Sequence, residues 1–322
     1  MKLKVIFLKK KHIYLVISVL IVLLLCLFFI TIGKKKNSLS TFNIMSRDKI
    51  FKTDLTGDGE EDLLYVKTKN NKYYLQVSTK DNKSIFLEPE KKLDTLGDYY
   101  EYWPMRLTLK DINRDNTPEI FIQSCKNDKA IQHVFLWNRE IFKDVFCSYN
   151  NILGFVDFSN TRTPKFISGS YKDGKINFDN YILVGKELKK FNYKCEENFF
   201  GRDTIGEFVN FLSSMPKDKD SFKDSLKNMV FSESSLKEID EFVCGFNSKT
   251  SKLSFQDGFF KDSKYTKNGE PGEIYWTLNF KGNLKDSNDI KNYTFVLTLK
   301  PSEDKNKEFY YKITKLSSSP LK

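Results

Sequence analysis

Apolar and polar positions alternate with a period of two through much of the first two thirds of the chain. The runs DLLYVKTK (62–69), YYLQVST (73–79), MRLTLK (105–110), EIFIQS (119–124), AIQHVFLW (130–137), PKFISGS (164–170) and FDNYILVG (178–185) read as half-buried strands. KNNK, TKDNK and YKDGK supply turn chemistry between them. From residue 201 the period lengthens. DTIGEFVNFLSSM puts Ile205, Phe208, Val209 and Leu212 on one helical face, with Asp203 placed to cap it. DSFKDSLKNMV does the same with Phe222, Leu226, Met229 and Val230. SSLKEIDEF offers Ser235 and Glu238 as a capping box before Ile239 and Phe242. EIYWTLNF, YTFVLTLK and EFYYKITKL then return to the strand period, with Ile274, Trp276, Leu278 and Phe280 on one face of the first. The pattern predicts an all-β repeat domain over 45–200 and an α+β domain over 201–322.

One segment has no polar face. Residues 13–32, IYLVISVLIVLLLCLFFITI, are twenty positions without a charge. As a helix they would span roughly 30 Å, the thickness of a bilayer core. The following TIGKKKNS lacks the small-residue cleavage site of a signal peptide, and Cys26 follows Leu-Leu-Leu rather than a lipoprotein signal. The reading is an uncleaved transmembrane anchor at 13–33, with a cytoplasmic basic arm at 1–12 and a polar linker at 34–44. The lysine-rich arm keeps the N-terminus inside and places the rest of the chain outside the cell membrane. Charge supports this topology. Of the net +11, eight positive charges fall in residues 1–36, which hold no acid, so the remaining 286 residues carry only +3. A nucleic-acid groove concentrates its charge on the folded part, and none is expected here. The 40 % hydrophobic and 15 % aromatic content is that of a folding chain. Cys125, Cys147, Cys195 and Cys244 show no CxxC spacing; two disulfides in any of three pairings, or four separate thiols, fit equally.

Chemistry concentrates in a recurring loop. DLTGDGEED begins at Asp54 and DINRDNTPE at Asp111, and Asp54, Thr56, Asp58 and Asp62 match Asp111, Asn113, Asp115 and Glu119 offset for offset. Each leads straight into an apolar strand. A third copy, DFSNTRTPK, starts at Asp157 but puts Thr161 and Lys165 where the acids stood, so no metal is expected there. Calcium takes six to eight oxygens, and a curled loop supplies them from alternate positions. The backbone carbonyls of Glu60 and Thr117 would join the four side chains of their loops, and Gly59 and Asn116 suit the bend because both tolerate positive φ. An EF-hand is excluded, since its twelfth position would be Tyr65 or Ile122 instead of Glu.

These loops resemble the FG-GAP/VCBS repeat of integrin-like propellers and bacterial surface proteins, a D-x-[DN]-x-D-G-x-x-D calcium loop joined to a β-blade. The resemblance implies structural Ca2+, a partial propeller of about three blades, and a cell-envelope setting. It is close in the first two copies, with Thr56 for Asn or Asp and Glu119 for Asp. The helices and meander of 201–322 resemble the NTF2-like fold in architecture, without a diagnostic motif.

Other constellations fail. GSYKDGKI has Ile176 where a nucleotide-binding P-loop needs Ser or Thr, and Ser214-x-x-Lys217 lacks its companion motifs. Of the two histidines, His12 abuts the anchor and His133 lies in a predicted strand as a packed or surface residue. GDYYEYWP sets Tyr99, Tyr100, Tyr102 and Trp103 in a loop, either as binding anchors or as a cover over one end of the core. The sequence thus predicts a non-catalytic binding or scaffold protein for a protein, wall polymer or glycan. The alternatives are a structural subunit of an envelope complex, or a wall-glycan enzyme using Asp98 and Glu101.

Overall fold

The structure is a computed structural model that describes residues 10–11, 14, 18–21, 43–44, 49–157, 163–191, 199–214, 226–247, 250–267, 269–285, 289–303 and 308–320. The chain forms two compact units, Met1–Thr41 and Phe42–Lys322. Most of the expected anchor, in the first unit, lies outside the described residues, and among these no helix is long and apolar enough to cross a membrane.

The second unit is mostly β. Strands β2 (Lys49–Thr53), β3 (Asp62–Lys69), β4 (Lys72–Ser78) and β5 (Ser84–Phe86) make a four-stranded antiparallel meander. Strands β6 (Arg106–Lys110), β7 (Glu119–Lys126), β8 (Lys129–Trp137) and β9 (Phe142–Ser148) make a second, to whose β6 edge the two-residue β1 (Asn43–Ile44) adds. The same succession recurs in β10 (Ile152–Val156), β11 (Lys165–Lys172), β12 (Lys175–Val184) and β13 (Glu187–Phe191). In each meander an Asp-led loop joins the first strand to the second, closed by the pairs Thr53–Asp62, Lys110–Glu119 and Val156–Lys165.

The third meander does not stand alone. Its first strand, β10, pairs in parallel with β14 (Thr250–Asp262), from Ile152 opposite Gly258 to Phe155 opposite Lys261. β14 continues antiparallel into β15 (Ile274–Leu284), β16 (Ile290–Pro301) and β17 (Tyr311–Pro320), giving one mixed sheet of eight strands. This sheet runs across residue 200, where the periodicity placed a domain boundary. The sequence pattern hides the junction because β10 reads ILGFV, buried at every position, with no alternation to mark a face. Gly154 is required there: a Cβ would lie 2.2 Å from the Phe260 ring.

Side-chain alternation explains the layering. In β7, Ile120 and Ile122 join a core with Leu64, Leu75 and Val77 of the first sheet. Phe121 between them points the other way, into a core with Leu153, Phe155, Phe166 and Phe259 of the large sheet. The second sheet is therefore sandwiched, which is why β7 is buried over seven consecutive residues. The far face of the large sheet carries Ile152, Ile167, Phe260, Trp276 and Leu278, covered by helices. Helix α1 (Arg202–Ser213) presents Ile205, Phe208, Val209 and Leu212 to it, as the helical spacing predicts. Asp203 lies inside the first turn and not at the cap, which Gly201 occupies at φ +74. Helix α2 (Glu233–Asn247) starts before the predicted capping box; Ser232 Oγ, in place of Ser235, accepts from the Ser235 amide at 3.3 Å. Ile239 is buried as expected, as are Leu226, Met229 and Val230, while Phe222 lies outside the described residues.

A buried ion pair ties the second sheet to the large one. Arg106 of β6 and Asp257 of β14 are bonded, with side chains 0 % and 2 % exposed. The Trp103 indole N–H donates to the same Asp257 oxygen at 2.6 Å, and Asn279 Nδ2 to the other at 2.9 Å. Burial pushes the guanidinium down and the carboxyl up from their ordinary values, and their mutual attraction opposes both shifts. Gln123 and Gln132 extend the seam, donating to the carbonyls of Gly258 and Ile152 at 3.0 and 2.8 Å. Arg106→Met would leave Asp257 as an uncompensated buried charge and is expected to cost about 3–5 kcal/mol. A urea titration reads this as a lowered midpoint, and adding Asp257→Leu should recover part of the loss.

Candidate metal loops

Loop one occupies 54–61 between β2 and β3. Asp54 Oδ1 accepts from the Gly57 amide at 2.6 Å and its Oδ2 from the Gly59 amide at 2.9 Å. Asp58 Oδ1 accepts from the Glu60 amide at 2.9 Å. Loop two repeats these bonds at the same offsets. Asp111 accepts from Arg114 and Asn116 at 2.6 and 3.0 Å, and Asp115 from Thr117 at 2.8 Å. The two bends use left-handed backbone at equivalent positions, Gly57 and Gly59 at φ +75 and +88, Arg114 and Asn116 at +68 and +67. Asn116 takes the role expected of it; Arg114, where loop one has glycine, bends the same way without a residue type that signals it. Asn113 bonds Asp115 twice, through Nδ2 at 2.9 Å and Oδ1 at 3.0 Å.

The acid that closes each loop is buried. Asp62 Oδ2 accepts from the amides of Leu55 and Thr56 at 2.8 and 3.0 Å and from the Thr56 hydroxyl at 3.1 Å. Asp62 Oδ1 is buried with no hydrogen-bond partner. Burial raises the Asp62 carboxyl, and the three donors only partly offset it. Glu119 Oε2 accepts from the Ile112 amide at 2.8 Å, and burial pushes this carboxyl up to about 8, with Asp111 and Asp115 adding to the shift. A buried carboxyl without a cation favours its neutral form. The Glu60 side chain points away to Lys80 at 2.5 Å, leaving only its carbonyl for the loop.

The two loops touch. A Cβ on Gly57 would stand 2.4 Å from Thr117 Oγ1, so only glycine lets loop one lie against loop two. Thr56 and Asp58 also line a groove of about 860 Å³ whose wall carries the exposed Phe86 and Ile141. In the third copy the Asp157 amide donates to Asp262 Oδ2 at 2.6 Å, and Lys165 Nζ to the Thr163 carbonyl at 3.2 Å; residues 158–162 lie outside the described residues. Among the described residues no three His, Cys, Asp or Glu side chains are gathered as a metal cluster. The loop carboxylates are instead turned on their own amides, although each oxygen accepting one bond keeps a second lone-pair direction.

The aromatic segment divides. Tyr99 packs edge-on against Tyr73, ring centroids 5.7 Å apart, beside the core of the first two sheets. Trp103 is buried with Cys125 and Ala130, and Tyr100 and Tyr102 stack over that cluster at 5.1 Å. Asp98 Oδ2 accepts from the Asn127 amide at 2.8 Å, a turn-fixing bond. His133 is fully buried, its Nδ1 2.6 Å from Asp144 Oδ2. Cys125 and Cys147 are free thiols, and burial raises both. No protein-family model matches this chain, and no curated protein matches it either.

Glu119 gives the loops a pH signature. With chelator present, the unfolded chain sheds this proton near its ordinary 4.5 while the folded chain holds it to about 8. The folded state therefore binds more protons across that window, and stability falls as the pH rises through it, by on the order of 2–4 kcal/mol. Glu119→Gln keeps an acceptor for Ile112 and is expected to flatten the slope, measured as urea midpoints from pH 5 to 8.

Proposed function

We propose that the protein is a membrane-anchored, extracytoplasmic binding or scaffold protein whose β-rich body is braced by calcium and does no catalysis. The observation that carries this reading is a set of amide-to-carboxylate bonds repeated at the same offsets in two loops, each closed by a buried acid, with an orphaned oxygen on Asp62. Asp54, Thr56, Asp58, Asp62 and the Glu60 carbonyl would hold one ion; Asp111, Asn113, Asp115, Glu119 and the Thr117 carbonyl would hold the other. Bound calcium would compensate acids that otherwise repel one another and resist burial as anions. The orphaned Asp62 oxygen fits that donor set, since a buried polar atom without a partner is costly.

The FG-GAP/VCBS-like reading draws support from the three meanders, each with its Asp-led loop between first and second strand. On this reading they are three blades, and Lys165 disables the third loop. The NTF2-like reading of the C-terminal part draws support from helices packed on one face of the β14–β17 meander. The meander's continuation into β10–β13 departs from a free-standing domain of that type. The anchor reading rests on the uncharged stretch 13–32 and its flanking lysines.

Extracellular calcium modules bind at about 10⁻⁴–10⁻³ M. Calcium at 10 mM should therefore stabilise the full chain by roughly 1–3 kcal/mol per site, a rise in melting temperature of about 2–4 °C or more. The double variant Asp58→Ala, Asp115→Ala should melt at one temperature with calcium or with chelator. A wild-type chain that shows neither a shift nor heat of calcium binding at this concentration would sink the proposal.

A further inference from the structure

We infer that the cleft between the β7–β8 turn and β14 is a saccharide-binding site. It has a volume of about 540 Å³, within the roughly 300–1,000 Å³ that ligand pockets span. Segments far apart in sequence build it: Trp103 of the aromatic segment, Asn127-Asp128-Lys129 at the turn, Tyr149 before β10, and Gln256 of β14. The register of β14 slips between Phe255 and Asp257, a bulge. Bulges in sheets often sit next to sites, where they re-aim a side chain.

The inner wall is rigid. Trp103 is held by its bond to Asp257 at 2.6 Å and by its amide on the Tyr100 carbonyl at 3.0 Å. Gln256 donates to the Tyr102 carbonyl at 3.0 Å and accepts from Asn292 at 2.7 Å. The rim is freer. Tyr149 is 53 % exposed, and the side chains of Asn127 and Lys129 are exposed with no partner among the described residues. A wall set by supporting bonds is the preorganised half of a binding site. The rim supplies the adaptable half.

The chemistry favours a sugar ring. An exposed tyrosine offers a flat apolar face to the axial C–H groups of a pyranose, while amide, ammonium and carboxylate groups around it suit paired hydroxyls. The charge at the cleft is mixed. Lys126 donates to the Leu93 carbonyl at 2.6 Å, and Asp128, beside Lys129 at the rim, lies 3.9 Å from Lys281. The pairing of β14 with β10 covers only Gly258 to Lys261, so Phe255 and Gln256 at the cleft have no β10 partner, and an extended peptide is the occupant the test must distinguish.

This inference rests on the reading of the chain as a binding protein but not on its calcium. The test uses the full chain in lipid nanodiscs, free of sugar detergents, with chitotetraose, maltotetraose and a uronate-containing tetrasaccharide as probes. Saturation-transfer NMR with chelator present should show at least one probe binding with a Kd below about 1 mM. Tyr149→Ala and Lys129→Ala, both at exposed positions, should each weaken it at least fivefold without changing the melting temperature. Asp58→Ala should leave it unaltered, which separates this site from the metal loops. The inference is overturned if no probe gives a transfer signal at 10 mM, if Tyr149→Ala leaves binding intact, or if an extended peptide competes for the cleft.

Discussion

The guanidinium of Arg106 and the carboxylate of Asp257 lie out of reach of water, and buried charges tolerate few arrangements. Trp103 and Asn279 take up the carboxylate's remaining capacity, and from Asn279 the network passes to Thr294 and Asn292. The strands β6, β14, β15 and β16 are thereby bound to one relative register. A sliding of the second sheet over the large one by a single residue would strand both charges. A pair of this type contributes less to net stability than an apolar contact of equal volume would. Its effect is on the alternatives, which it makes expensive. The position of Trp103 and the shape of the cleft beside it are consequences of that restriction.

Period-two alternation made most of the strands legible. β3 spans the residues its pattern indicates, and β15 buries Ile274, Trp276, Leu278 and Phe280. Strands without a polar face, or with an interruption, were not legible in this way. β10 is buried on both sides and broken by glycine; β14 carries two register shifts. Their parallel pairing joins positions about a hundred residues apart, and nothing local announces such a contact. The helix faces were legible for the same reason as the strands, but their caps were not. Ser232 and Ser235 are chemically equivalent candidates, and the choice is made by where the chain leaves its bridge to Ile313.

The likeness of the two Asp-led loops was legible as spacing, because loop chemistry is carried by consecutive residues. Offsets between acids survive in any fold. Their burial does not follow from spacing: Asp62 and Glu119 are enclosed only because each opens a strand that enters the core. The contact of Gly57 with Thr117 likewise belongs to the packing of one sheet on another. In the aromatic segment, the tyrosines and tryptophan were visible as a cluster. The groups beside Trp103 in the cleft come from three other stretches of chain, and only the fold brings them together.

The β10–β14 pairing has a further consequence for the order in which the molecule can assemble. During synthesis, β10 emerges about a hundred residues before its neighbour, so the earlier meanders can close while one strand stays open on its inner side. Paired with β11 on one side only, ILGFV presents an open edge without a charge or proline to blunt it, a template for wrong partners. The nascent chain is thus most vulnerable between the third meander and the arrival of Gly258. Long-range closure of this kind is slow, and it makes the last sheet to form the one that seals the rest.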